Sequence, residues 1–205
     1  MKQLVLSLTI LFTVQSLTAQ NKKALSSMLS RDLEAYRKYT LALNFDSSFQ
    51  FVPPKMFEII PYDTLKATMI QAMDNEYMSI KMTGLDFGTK KKIKIKKTGQ
   101  YHLAFVPYKG SMQLTLKGKK EFRTILVSAI KSEFGSENVL MENDSTMQVE
   151  LKNKEFTAFK DAASPRWWLI EDKRSEKGSE AEQQKILFET IMPKEILTAI
   201  AKRKN

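Results

Sequence analysis

The sequence predicts an α+β fold: N-terminal helices packed on a curved antiparallel sheet, a helix inserted at about 120–134, and a C-terminal helical pair. Three observations carry that prediction. Apolar residues before Asn75 recur at helical spacing, those after it alternate with polar ones, and five glycines punctuate the alternating runs. No repeat, long linker or low-complexity tract divides the chain. Residues 20–205 are therefore expected to form one domain, with its C-terminal helical segment at about 180–203.

The first nineteen residues are expected to stand outside that domain. Lys2 is followed by an apolar stretch from Leu4 to Leu17, relieved only by Ser7, Thr9, Thr13, Gln15 and Ser16. Leu17-Thr18-Ala19 then places a small residue before Gln20, so residues 1–19 read as a signal peptide cleaved near Ala19. An apolar run of about 14 residues is too short for a spanning helix, which needs roughly 20. The expectation is an exported protein, periplasmic or secreted, without a transmembrane anchor. The chain has no cysteine, which removes both a lipobox anchor and a disulfide framework, so stability must come from the core.

Net charge is +10, and about +9 without Lys2. That balance favours anionic partners, although export argues against nucleic acid and charge also keeps an exported protein soluble.

From 24 to 44 the apolar stripe is Leu25, Met28, Leu29, Leu33, Tyr36, Thr40 and Leu43, with Arg31, Glu34 and Lys38 largely off it, which predicts a long amphipathic helix. Short turns are expected at 48–52 and 55–60, broken by Pro53-Pro54 and Pro61. Asp63 is the expected N-cap of a helix carrying Leu65, Met69 and Met73. Strands follow at 77–87, 93–97, 100–108 and 111–117, with Gly84, Gly88, Gly99, Gly110 and Gly118 at turns or bulges needing positive φ. Phe122, Ile125, Leu126, Ala129, Ile130 and Phe134 mark the inserted helix, with Gly135 after its end. Strands at 138–142 and 146–151 form a hairpin around Asn143-Asp144, and strands at 154–159 and 166–171 complete the sheet. A charged loop at 175–183 leads to helices at 184–192 and 193–203, with Pro193 at the first position of the second.

Residue arithmetic removes most catalytic machinery. One histidine and no cysteine cannot assemble a thiolate or multi-histidine zinc site, and no nucleophile elbow, P-loop or calcium loop occurs. His102 falls on a strand face opposite Tyr101, Leu103 and Phe105, where it is either a solvated side chain or an acid–base group. Asp63 is explained as a cap, and Glu142, Asp144 and Glu150 surround a hairpin.

The run Lys90, Lys91, Lys92, Ile93, Lys94, Ile95, Lys96, Lys97 puts Ile93 and Ile95 on one strand face and Lys92, Lys94 and Lys96 on the other. It reads as a platform for phosphate-bearing envelope lipids or as a solvated strand face that discourages edge pairing. Adjacent Trp167 and Trp168 must face opposite sides of their strand, so both faces need a cover. They are core residues or a ligand platform. Met56, Met69, Met73, Met78, Met82 and Met112 are core filler or the lining of an adaptable apolar pocket.

The order of elements, with the stretches Pro53-Pro54-Lys55-Met56-Phe57-Glu58-Ile59-Ile60-Pro61, Phe134-Gly135-Ser136-Glu137-Asn138-Val139, Trp167-Trp168-Leu169-Ile170-Glu171 and Ile191-Met192-Pro193-Lys194-Glu195-Ile196-Leu197, resembles the nuclear-transport-factor-like (SnoaL-like, cystatin-like) α+β cone, and within it uncharacterised exported bacterial proteins. The resemblance implies a concave sheet with helices across its mouth and a pocket between. Isomerases, dehydratases, ligand-binding modules and adaptors share that cone, so it does not select a function. The inserted helix departs from the plain cone, and no catalytic residue carries over.

The sequence therefore leads to an exported module that binds an apolar or amphipathic ligand, or an envelope protein, in a pocket of the sheet. Tyr101, His102, Trp167 and Trp168 are its candidate ligand residues. The alternatives are a small cone-fold enzyme, isomerase- or hydrolyase-like, with one acid–base residue, and an anionic-surface binder using Lys90, Lys91, Lys92, Lys94, Lys96 and Lys97. No catalytic residue, metal or cofactor is assigned, and a homodimer through an exposed sheet face is expected by analogy with the fold.

Overall fold

The computed structural model describes residues 2–88, 93–171 and 179–204; for 2–21, 179–181, 183–184 and 204 it describes the backbone alone. Helix α1 spans Lys2–Leu41 and continues unbroken through the segment expected to be a leader. Leu25, Met28, Leu29, Leu33, Tyr36 and Tyr39 pack against the sheet, much as the helical spacing predicts. The helix stops two residues before Leu43, whose φ of 52° turns the chain so that Asn44 can cap α2 (Phe45–Ser48) by accepting from the Ser47 amide at 3.0 Å. A 3-10 turn, Phe49–Phe51, and α3 (Pro54–Ile59) follow. Helix α4 (Tyr62–Met73) begins one residue ahead of the expected cap. Pro61 takes the cap position and Asp63 instead lies in the first turn, where its carboxylate faces the positive end of the helix dipole. Among the described residues, no helix is long and apolar enough to cross a membrane.

Six antiparallel strands form one curved, open sheet: β1 (Met78–Phe87), β2 (Ile95–Thr98), β3 (Tyr101–Leu116), β4 (Val139–Met141), β5 (Thr146–Asp161) and β6 (Trp168–Glu171). The expected strands at 100–108 and 111–117 are one strand, as are those at 146–151 and 154–159. Gly110 does not turn the chain. It pairs with Leu151 inside β3, while β5 passes one extra residue across the step from Tyr108 to Gly110 with Asn153 at φ 56°. A bulge bends the paired strands where a turn would have ended them. Gly84 likewise marks a bulge in β1. Of the five strand-region glycines, only Gly99 and Gly118 have positive φ.

The long pair β3 and β5 runs the length of the sheet. Strands β1 and β4 flank one half, and β2 and β6 flank the other. In the β2/β6 half, one face packs Ala104, Val106, Phe156, Ala158 and Trp167 against α1. Its opposite face packs Leu103 and Phe159 against Phe188, Met192, Ile196 and Ile200 of α6 (Ser179–Ile191) and α7 (Lys194–Lys204). In the β1/β4 half, Met112, Leu114, Met147 and Val149 pack against Ile130, Leu126 and Phe134 of α5 (Lys120–Phe134), on the same side of the sheet as α1. The far face of that half carries Ser111, Gln113, Thr115, Gln148 and Glu150.

Two helix boundaries and one stripe differ from expectation. Helix α6 starts at Ser179 rather than 184 and α7 at Lys194 rather than Pro193, and residues 175–178 of the expected loop lie outside the described residues. On α5 the sheet-facing side is Leu126, Val127, Ile130 and Phe134. Ile125 is 65% exposed, and Phe122 turns outward to meet the Tyr77 ring at 5.1 Å. Gly135 ends α5 with φ 83°, a conformation that glycine adopts without a Cβ penalty.

Candidate functional site

Helix α1 crosses the β2/β6 half and ends beside β1 at the bend, and α5 covers the β1/β4 half. At the bend between them lies a cavity of about 320 Å³. Its walls come from Tyr36 and Thr40 of α1, Val52, Pro53 and Met56 of the broken turns, and Met82, Leu85, Tyr108, Leu151, Phe156, Leu169 and Glu171 of the sheet. Most of this surface is apolar or aromatic. Phe156 organises it, stacking on Tyr108 at 4.5 Å and meeting the edge of Tyr36 at 5.6 Å.

Four polar side chains enter that surface. The Tyr108 hydroxyl donates to Glu171 Oε1 at 2.8 Å, and Lys154 Nζ stands 4.0 Å from the same carboxylate oxygen. Burial pushes the Tyr36 phenol up from its usual range; nearby Thr40 opposes that shift and the Glu171 charge reinforces it. Tyr36 is therefore a protonated hydroxyl at any physiological pH. The Thr40 hydroxyl is buried beside the Tyr36 phenol. Glu171 reaches the cavity because β6 alternates: Trp167, Leu169 and Glu171 face α1, while Trp168 and Ile170 face the C-terminal helices.

The residues singled out from the sequence are spread over two faces. Trp167 is 0% exposed in the α1-side core, and Trp168 lies against Phe159 at 5.3 Å on the other side. Tyr101 is on the Trp168 side, with its ring edge toward Phe159 at 6.3 Å. His102 is on the α1 side in register with Lys97 and Lys160. Partial burial, then the charges of Lys160 and Lys97, hold its imidazole below the usual histidine value. None of these four lines the cavity. Within the lysine run, Ile93 and Ile95 join the α1-side core, and Lys94, Lys96 and Lys97 are exposed. Lys90, Lys91 and Lys92 lie outside the described residues.

Two carboxylates escaped the sequence reading. Glu171 is one. Asp32 is the other: it lies inside the α1 stripe and is only 3% exposed. It accepts from Arg31 at 2.7 Å and, through its second oxygen, from the Trp167 amide at 2.9 Å. One signal would have found both, a carboxylate at an apolar-face position of an amphipathic element.

No family model, curated protein or solved structure matches this chain.

Proposed function

We propose that this chain is an exported module that holds an amphipathic small molecule in the cavity at the sheet bend. The apolar body of the ligand lies against Met56, Met82, Leu85 and Leu151, and a hydrogen-bonding head meets Tyr36, Thr40, Tyr108 and Glu171. The observation that carries this reading is polar chemistry placed in an apolar wall: the Glu171 carboxylate and the buried Tyr36 and Thr40 hydroxyls. The volume of about 320 Å³ lies at the small end of the roughly 300–1,000 Å³ range of ligand pockets.

Helices over one face of a curved sheet with a space beneath them support the resemblance to the cone superfamily; α5 is the departure. Export rests on the sequence of residues 1–19. Cleavage near Ala19 is compatible with the fold, because the first α1 side chain against the core, among the described residues, is Leu25.

Glu171 hydrogen-bonded to Tyr108 inside a cavity also favours a second reading, a small enzyme using one acid–base carboxylate. One experiment addresses both readings. Thermal melts of the full chain with decylamine, decanol and decanoate are expected to show stabilisation by the first two and little by the anion, which Glu171 repels. Glu171→Gln should abolish that discrimination. If none of the three raises the melting temperature, the binding reading fails. The enzymatic reading requires a small molecule co-purifying with Glu171→Gln that wild-type protein converts.

A further inference from the structure

A second concavity, independent of the cavity at the bend, lies between α5 and the turn joining β4 to β5. It is a groove of about 460 Å³. Lys120 and Arg123 line it from the first turn of α5 and Lys131 from the last, over apolar groups of Val127 and Met141. Among the described residues, none of the three cations has an ion-pair or side-chain hydrogen-bond partner. The Nε of Arg123 is buried with no acceptor at all. Two acids stand on the rim: Glu142, which accepts from Gln113 at 3.1 Å and Gln148 at 2.9 Å, and Asp144.

The start of α5 adds to this imbalance. Lys119 sits at the N-cap with no side-chain cap, and Lys120 and Arg123 follow in the first turn. Cations there oppose the helix dipole, which favours anions at that end. Glu121 is the single acidic residue of the turn. A basic, uncapped helix start is a cost within the unliganded protein, and an anion in the groove relieves it.

We propose that this groove is an oxyanion site for a phosphate monoester, with Arg123 as its principal contact and Lys120 and Lys131 beside it. The guanidinium offers a planar fork suited to two phosphate oxygens, and the lysines add charge without fixed geometry. Three cations against the two rim carboxylates, Glu142 and Asp144, leave the groove with a net positive charge that favours an anion. Val127 and Met141 supply an apolar floor for the carbon skeleton of the ester. This site is distinct from Lys94, Lys96 and Lys97, which lie in the other half of the sheet.

The test titrates the full chain with glycerol 3-phosphate by calorimetry and follows its melting temperature. Saturable binding is expected, weakened at least tenfold in Arg123→Met and in the double variant Lys120→Gln/Lys131→Gln, and unchanged in Lys94→Gln/Lys96→Gln. Because Arg123→Met removes a buried unpaired donor, it should melt no lower than wild type without ligand while losing the ligand-induced rise. A second arm separates the sources of the phosphate. Co-sedimentation with phosphatidic acid vesicles but not phosphatidylcholine vesicles, lost in Arg123→Met, identifies a lipid headgroup; binding of glycerol 3-phosphate without vesicle binding identifies a soluble ester. Absence of saturable binding overturns the proposal. So does wild-type affinity in Arg123→Met and the double variant, or equal weakening by the Lys94/Lys96 pair.

Discussion

The two halves of the sheet share the strands β3 and β5 yet solve the burial problem differently. In the β2/β6 half both faces are apolar, one under α1 and the other under α6 and α7. In the β1/β4 half only the α5 side is apolar, and the far face carries Gln113, Gln148 and Glu150. The difference is written into one strand: residues 103–106 read Leu-Ala-Phe-Val, whereas 111–116 read Ser-Met-Gln-Leu-Thr-Leu. A strand sandwiched by helices needs no alternation, and a strand with one wet face keeps it. The step between the regimes is the bulged bend, where the end of α1 and the start of α3 stand over the near face and the cavity opens.

The largest effect should come from matched truncations on the far face of β5. Phe159→Ala, beneath the C-terminal helices, is expected to cost about 3–5 kcal/mol in denaturant unfolding. Gln148→Ala, on the same sheet face in the other half, should change stability by under about 0.5 kcal/mol. A comparable cost at Gln148 would mean that its face is covered, and the contrast between the halves would collapse.

An intermediate effect is expected at the seal between α1 and β6. Asp32→Ala leaves the buried Trp167 amide without its acceptor and should lower stability by about 1–3 kcal/mol. Hydrogen exchange should quicken first in α1 and β6 and only later in α5. Uniform acceleration would instead make the two halves one cooperative unit.

The smallest effect concerns His102, the only histidine of the chain, at the outer end of the doubly covered half. Its folded-state value lies below the usual histidine value of 6.5, which describes the unfolded chain. Above that pH both states are neutral and the group contributes nothing. As pH falls below 6.5 the unfolded chain takes up the proton first, so stability is lost until the lower folded value is passed. His102→Gln should flatten this part of the melting-temperature profile. An unchanged profile would remove His102 from the electrostatics of that half.

Local periodicity made much of the fold legible in the sequence. The α1 stripe, the opposite facing of Trp167 and Trp168, and Ile93 and Ile95 pointing inward all follow from spacing. Strand length was not legible, because Gly110 and the Lys152-Asn153 step look like turns until their partner strand is known. The site was harder still. Tyr36, Met56, Tyr108 and Glu171 are far apart in sequence, and the cavity exists only where the end of α1 and the start of α3 stand over a bent sheet. No local window holds that information.

The bond from the Trp167 amide to Asp32 joins residues 135 positions apart. An emerging chain cannot close it until β6 has been made, near the end of synthesis, and closing so long a loop is entropically unfavourable before other contacts assist. Helix α1 can meet β1 and β3 earlier, but its apolar stripe is not fully covered until the last strand appears and acts as the latch that shuts it.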